Sequence, residues 1–324
     1  MSREQIHILH GNTALDAESW QRLFHRDSSA RFTQSPLWAR LGMEELHWKP
    51  GCLIWPGEEA VLPFIISTER SGRSIRIESM PWGMIGGPLM DPSIKGDITG
   101  DFRKAITNLA LETVLYPSRN LELPGWDAMN HIVHVVELPE DGVDTWEYAH
   151  RKCRTAARHA RNKGVAIDRI RHGSYLHGVT RLHQAQQQSR NARTYSDSWW
   201  RKLLSEAEPN CGLWGAFHKG HVIAALLIAW WNDHAVALVS TGDPCSRPLK
   251  AGNLLYLSVF EYLGINGIRT VDLGGSRGKR SLEAFKESLG GKPRTRVWYR
   301  HRQRIYRIYR TMAGLLRREI AIDM

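Results

Sequence analysis

A chain of 324 residues, 42% hydrophobic and 24% charged, has the composition of an ordinary soluble globular protein and the length of two domains. Its 44 Lys and Arg against 33 Asp and Glu leave a formal net charge of +11, which favours phosphate-rich partners: nucleic acid, a nucleotide-linked substrate or an anionic membrane face. Four well-separated cysteines, 15 histidines without zinc spacing and a polar N-terminus predict free thiols in a reducing compartment, no metal site, and a cytoplasmic protein.

In chain order, a short strand with Ile6 and Ile8 precedes helices near 16–26 and 36–47, the second started by Gln34-Ser35-Pro36. Residues 53–55, 60–67 and 74–79 read as strands, with Pro63 pointing to an edge or a bulge. Residues 81–88 form a loop with three glycines and Trp82, either a structural turn or a substrate-facing loop. A helix over 94–116 and strands over 120–123 and 132–138 follow. The polar break Pro139-Glu140-Asp141-Gly142 then closes a first domain, 1–142.

The second domain, 143–300, opens on a basic helix over 145–163. Ala149, Cys153, Ala156, Ala157 and Ala160 share one face; Arg151, Arg154, Arg158 and Arg161 share another. The arginine ladder is either a solvated face or a seat for a phosphate-bearing substrate or tRNA backbone. A strand over 165–170 and helices over 177–189 and 197–204 come next. They flank a polar loop over 191–196 that is a candidate acceptor side, with Tyr195 in it, and Trp199-Trp200 read as core packing. Residues 213–218, 222–231 and 235–240 are consecutive antiparallel strands; the middle one is the most apolar run and is too short to cross a membrane. A helix over 251–263 leads to a strand over 268–273. The mixed sheet-and-helix pattern of both halves predicts an α/β (α+β) chain.

Val271 to Gly291 concentrates the chemistry. The strand breaks at Gly274-Gly275, where φ > 0 is expected, and a basic loop with Arg277, Lys279 and Arg280 follows. Ser281 is placed to cap a helix striped by Leu282, Phe285 and Leu289 and ended by Gly290-Gly291. Asp272, Ser276 and Lys286 are its acid, hydroxyl and amine. A strand over 295–300 precedes a basic amphipathic helix, 301–324, suited to intramolecular docking, an anionic membrane surface or nucleic acid.

The order D-L-G-G-S then A-F-K-E-S-L-G-G resembles the C-terminal signature of Fem-type transferases within the GNAT superfamily. Met80-Pro81-Trp82-Gly83 with Gly86-Gly87-Pro88, the basic helix from Arg154 to Val165, and the helix from Asn253 to Gly267 resemble three further family segments in the expected order. The resemblance spans roughly 34–291. It implies tandem GNAT-like domains and an N-acyltransferase using an acyl-CoA donor, like the shorter relatives linked to exopolysaccharide or envelope biosynthesis. It also implies that Lys286 is tied to activity, steadying a phosphate or an oxyanion. The glycines of the family's coenzyme A pattern, Gln/Arg-x-x-Gly-x-Gly/Ala, are not in place in Arg247-Pro-Leu-Lys250-Ala-Gly252-Asn253. That departure keeps an aminoacyl-tRNA donor open as the alternative.

An amine attacking an activated carbonyl needs a phosphate seat, an oxyanion partner and a proton route. Arg154, Arg158, Lys250, Asn253, Gly274, Gly275 and Arg277 are the candidate donor or phosphate contacts. Asp272, whose other reading is a carboxylate capping Gly275 or Ser276, would orient the amine or take its proton, and Ser276 would donate to the acyl oxygen. Trp82, Gly83 and Tyr195 would face the acceptor. The expected partner is a small-molecule or lipid-linked substrate bearing phosphate, with aminoacyl-tRNA and the inner membrane face as alternatives. A different class also fits the residues: a non-catalytic basic binding protein on a GNAT scaffold.

Overall fold

The computed structural model describes residues 6–70, 73–81, 84–93, 105, 109–119, 121–139, 146–171, 174–190, 192, 194–303 and 305–306. The chain divides into two units, one of 1–130 with 297–324 and one of 131–296. The expected boundary at 142 therefore moves into a strand. The reason is pairing: Val133 to Glu137, the end of that strand, pair with Thr270 to Gly275 of the second unit.

The first unit is built on β1 (His7–His10), β2 (Lys49–Ile54), β3 (Ala60–Arg70), β4 (Arg73–Glu78), β5 (Leu89–Met90), β6 (Glu112–Leu115) and the end of β13 (Lys292–Arg302). Neighbours pair in the order β1-β2-β3-β4-β6-β13, all antiparallel except β4 with β6, and β5 pairs with β3. Leu62, Phe64, Ile77 and Leu115 form its core, beside helices α1 (Gly11–Leu15), α2 (Glu18–Arg26) and α3 (Pro36–Leu46). Ser35 caps α3, accepting the Trp38 N–H, with Pro36 at the first position as the sequence predicts. Pro63 is not on an edge strand. It faces Cys52 on one side, and on the other it falls between the β5 pairs at 60–61 and the β4 pairs from Ile65, where β3 needs no donor.

Two expectations fail here. Glu112 to Leu115, placed at the end of a long helix, is a fully buried strand, because β-branched Thr113 and Val114 fill a slot between β4 and β13. Residues 121–123 are not a strand; Leu121 offers its carbonyl to the Tyr299 hydroxyl instead. Glu112, 1% exposed, holds Arg302 at 2.8 Å, the Tyr306 hydroxyl at 2.9 Å and Arg76 at 3.4 Å. Residues 301–302 belong to β13, and the rest of the expected C-terminal helix lies almost wholly outside the described residues.

The second unit orders its strands β7-β12-β11-β10-β9-β8, from β7 (Asp127–Glu137) to β8 (Ala166–Arg169). Between them lie β9 (Cys211–His218), β10 (His221–Trp231), β11 (His234–Gly242) and β12 (Thr270–Gly275). Only β11 and β12 run parallel, and the helix α7 (Ala251–Ile265) makes their crossover. Helix α4 (Arg151–Asn162) buries Cys153, Ala157 and Ala160; small residues let it approach α7 closely. Helices α5 (Ser174–Gln188), α6 (Asp197–Glu206) and α8 (Arg280–Ser288) complete the unit around a core of Trp214, Leu226, Ile228, Phe260 and Val271. Among the described residues no helix is long and apolar enough to cross a membrane.

Candidate active site

The parallel pair at the centre of the second unit comes apart. β11 and β12 pair only through His234, Ala235 and Val236 with Thr270, Val271 and Asp272. Past Val236 each strand continues without the other, so a gap opens at their carboxyl ends, where open α/β sheets take ligands. Beside the gap, Leu227 opposes Val239 and Ile228 opposes Ala237, which leaves Leu238 as an extra residue in β11. Such a bulge disrupts the ladder and re-aims the strand. Neither feature was read from the sequence, where 235–240 is an unremarked apolar strand.

β12 has its own irregularity on the opposite side. Asp272 opposes Val135 and Gly275 opposes Val133, so Leu273 and Gly274 together face His134 alone. Breaking a ladder frees backbone polar groups that need partners. The side chains singled out by sequence supply them. Asp272 Oδ1 accepts the Gly274 N–H at 2.7 Å, and its Oδ2 takes Arg296 at 2.6 Å. Lys286 Nζ donates to the carbonyls of Gly274 at 2.8 Å and Gly275 at 3.0 Å. Gly274 has φ +68°, as expected for the break. Asp272 and Lys286 thus hold the strand end from its N–H and C=O sides.

Lys286 is 7% exposed. Burial pulls its pKa below the usual lysine value, against the opposing charges of Asp272 and Glu283. This departs from the apolar stripe expected for α8: Leu282 is exposed, Leu289 is buried, and the amine takes a buried place. Ser281 does not cap that helix. Lys279 is at the N-cap and no side chain caps there, because the helix starts two residues earlier. Ser276, 4% exposed, has a hydroxyl without a hydrogen-bond partner among the described residues. Arg277 adopts φ 49° and is exposed.

The phosphate candidates gather near the same end. Asn253, in the first turn of α7, donates to Cys153 Sγ at 3.2 Å, in the first turn of α4, so two helix N-termini lie side by side. Asn253 is thereby turned toward α4. Lys250 precedes α7 in a left-handed conformation and is exposed. A Cβ on Gly252 would lie 3.9 Å from the Phe285 ring, which ties the start of α7 to α8. Arg154 is half-buried and Arg158 exposed; Arg161, also in the ladder, lies over the Trp146 ring at 5.0 Å. Exposed N–H groups and positive charge at helix starts suit an anion.

Of the acceptor candidates, Tyr195 alone falls among the described residues. Trp82 and Gly83 lie outside the described residues. Tyr195 stacks between His183 at 5.0 Å and Trp199 at 4.0 Å, and Trp199 and Trp200 are core, as expected. Sequence reasoning missed Arg296, His134 and His183; each is an ordinary residue of an unremarked strand or helix. Among the described residues no group of three or more His, Cys, Asp or Glu is placed to hold a metal ion.

Residues 149–287 match the family model of the acetyltransferase (GNAT) domain. That segment is a GNAT-type acetyltransferase domain. Solved structures extend the likeness beyond that segment. FemX is 11% identical with a TM-score of 0.68, the alignment covering 88% of this chain and 96% of FemX. L-PGS from Bacillus licheniformis is 11% identical with a TM-score of 0.57, covering 94% and 97%. A tandem GNAT protein from the clavulanic acid biosynthesis pathway is 14% identical with a TM-score of 0.52, covering 92% and 98%. At these identities the likeness is one of fold, and the fold is Fem-like. No curated protein sequence matches the chain. Within the GNAT domain, the parting strands, the bulge and the α7 N-terminus lie inside the matched segment, and Arg296 lies just beyond it.

Proposed function

We propose that the GNAT domain transfers an acyl group from an acyl-CoA thioester to an amino group of an envelope or polysaccharide precursor. The observation that carries this is the parting of β11 and β12 beside the Leu238 bulge. An extended thioester laid in that gap would lie beside a β11 edge that is no longer hydrogen-bonded to β12. Backbone N–H groups of that edge would polarise the acyl carbonyl, and the unpartnered Ser276 hydroxyl would add a second donor. The N-terminus of α7, with Lys250 beside it, would seat the pyrophosphate. The amine nitrogen forms a bond to the carbonyl carbon, the carbon–sulfur bond breaks, and the proton lost by the amine ends on the departing thiolate. Asp272 and Lys286 act here as positioning residues, since their polar atoms already hold the end of β12.

A second reading, an aminoacyl-tRNA donor, is favoured by one observation. Arg158, Arg247, Lys250, Arg277, Lys279 and Arg280 are all exposed on or beside these helices, more cations than one pyrophosphate needs. Gly252→Glu discriminates between donors. Nothing stands within contact distance of its Cβ except the Phe285 ring at 3.9 Å, and an acid in a helix's first turn is stabilising by about 0.3–1 kcal/mol. Folding should be kept, while acetyl-CoA affinity by calorimetry should fall at least about tenfold, or about 1.4 kcal/mol. Absence of binding to the parent at near-millimolar acetyl-CoA sinks the CoA reading; saturable binding of charged tRNA in its place establishes the second.

A further inference from the structure

A second concavity lies away from the parting strands, at the opening of the GNAT domain. It is a cleft of about 750 Å³ between the end of β8, the start of α5, and α6 with Glu208 beyond it. That volume is in the range of small-molecule sites. Its floor is apolar: Ile170 and Leu176 are 3% and 5% exposed, and Leu204 is half-buried. Its walls are charged. Arg169 is fixed, donating to the Cys211 carbonyl at 3.0 Å, meeting Glu208 at 3.4 Å and lying over the Trp214 ring at 5.5 Å. Arg171, two residues on, is exposed and lines the cleft as well. It makes no ion pair among the described residues. Arg201 reaches Asp197 only at 3.8 Å and is exposed, with Asp197 partly so.

Three arginines line the cleft with two carboxylates, so one positive charge is left over, with His177 beside it. A phosphate monoester or pyrophosphate would bring more negative charge than the cleft balances. A sugar would waste the apolar floor. We infer that this cleft binds a singly charged amphiphile, a carboxylate or a phosphodiester, with its head between Arg171 and Arg201 and its apolar body on Ile170, Leu176 and Leu204. Guanidinium forks suit either head, because both present two oxygens that accept paired N–H bonds. The site is separate from the proposed donor seat: it involves neither β11 and β12 nor the starts of α7 and α8.

The test uses the full chain and calorimetry with two probes, octanoate and dibutyl phosphate, against octanol and inorganic phosphate. Saturable binding of one or both amphiphilic anions, at least tenfold tighter than either control, is the expected result, and the better probe identifies the head. Arg171→Ala with Arg201→Ala should weaken that binding at least tenfold. Ser205→Trp, from an exposed position on α6 that lines the cleft, should block it without touching the core. Acetyl-CoA binding should be the same in both variants, which separates this inference from the donor reading. Octanol binding as tightly as octanoate, inorganic phosphate binding as tightly as dibutyl phosphate, or probe binding that survives both variants, would overturn it. So would no saturable binding of either probe.

Discussion

Replacing Lys286 by methionine removes the amine that holds the end of β12 and keeps most of its apolar stem. Two N–H donors are lost, at 2.8 Å to Gly274 and 3.0 Å to Gly275. A hydrogen bond from a charged donor contributes about 1.5–3 kcal/mol. Two such bonds would sum to about 4 kcal/mol, but removing a buried ammonium also removes its desolvation cost, so a net loss of about 2 kcal/mol is expected. That loss falls on the segment leading to Ser276. If it is felt fully in donor binding, it weakens acetyl-CoA affinity about 30-fold. A pH signature separates this from simple destabilisation. The folded pKa of Lys286 lies below the usual lysine value because of burial. Between those two values the unfolded chain binds more protons than the folded one, so parent stability rises with pH through that window. Lys286→Met should lack the rise. Urea denaturation across pH 7 to 10.5, with acetyl-CoA titration at pH 7, reads all of it. A variant that melts, binds and titrates like the parent would refute the holding role.

Asp272→Asn should cost about 3 kcal/mol in urea denaturation, because Arg296 is left partly buried without its carboxylate at 2.6 Å. Adding Arg296→Met should recover much of that, and no recovery would mean the pair is not coupled. Thiol titration of the native protein should modify Cys245 alone, since it is exposed, while burial pushes Cys52 and Cys211 up to about 12 and raises Cys153. A second fast thiol would show that one of these sites opens readily. His183 is pushed down to about 4, first by burial and then by the Arg190 charge. Its folded pKa is below the unfolded one, so it makes stability rise with pH between about 4 and about 6.5, by about 3 kcal/mol. His183→Phe should lose that part of the pH dependence, and an unchanged profile from pH 4 to 7 would assign it to another group.

The sequence pattern reached further for the scaffold than for the site. Apolar runs bounded by short turns locate β9, β10 and β11, and the small-residue face of α4 anticipates its packing on α7, because burial selects the residues it covers. The segment after residue 93 misleads, since Glu112 to Leu115 is apolar enough for either a helix or a strand and only its neighbours on both sides decide. At the site, Asp272, Gly274 and Lys286 stand out in the motif, yet their task is invisible there. It depends on which backbone groups the β12 irregularity frees, and that follows from register against β7. The Leu238 bulge leaves no trace in hydrophobicity, since one extra residue in a buried strand is apolar like its neighbours. The charged cleft draws on residues 169 to 208, brought together as α5 packs on β10 and β11 and α6 on β9.

The return of β13 to the first unit orders events during synthesis. Residues 131–296 are contiguous and can fold as soon as they clear the ribosome. The first unit cannot, because β6 waits for Tyr299 to Arg302 to cover its edge, and Glu112 waits for Arg302 and Tyr306. Until the last segment emerges, a bare strand edge and a carboxylate with only Arg76 beside it persist in the part of the chain made first. A stop codon near residue 296 would therefore damage the N-terminal half of the protein, more than 180 residues upstream in the chain, while sparing the acyltransferase domain.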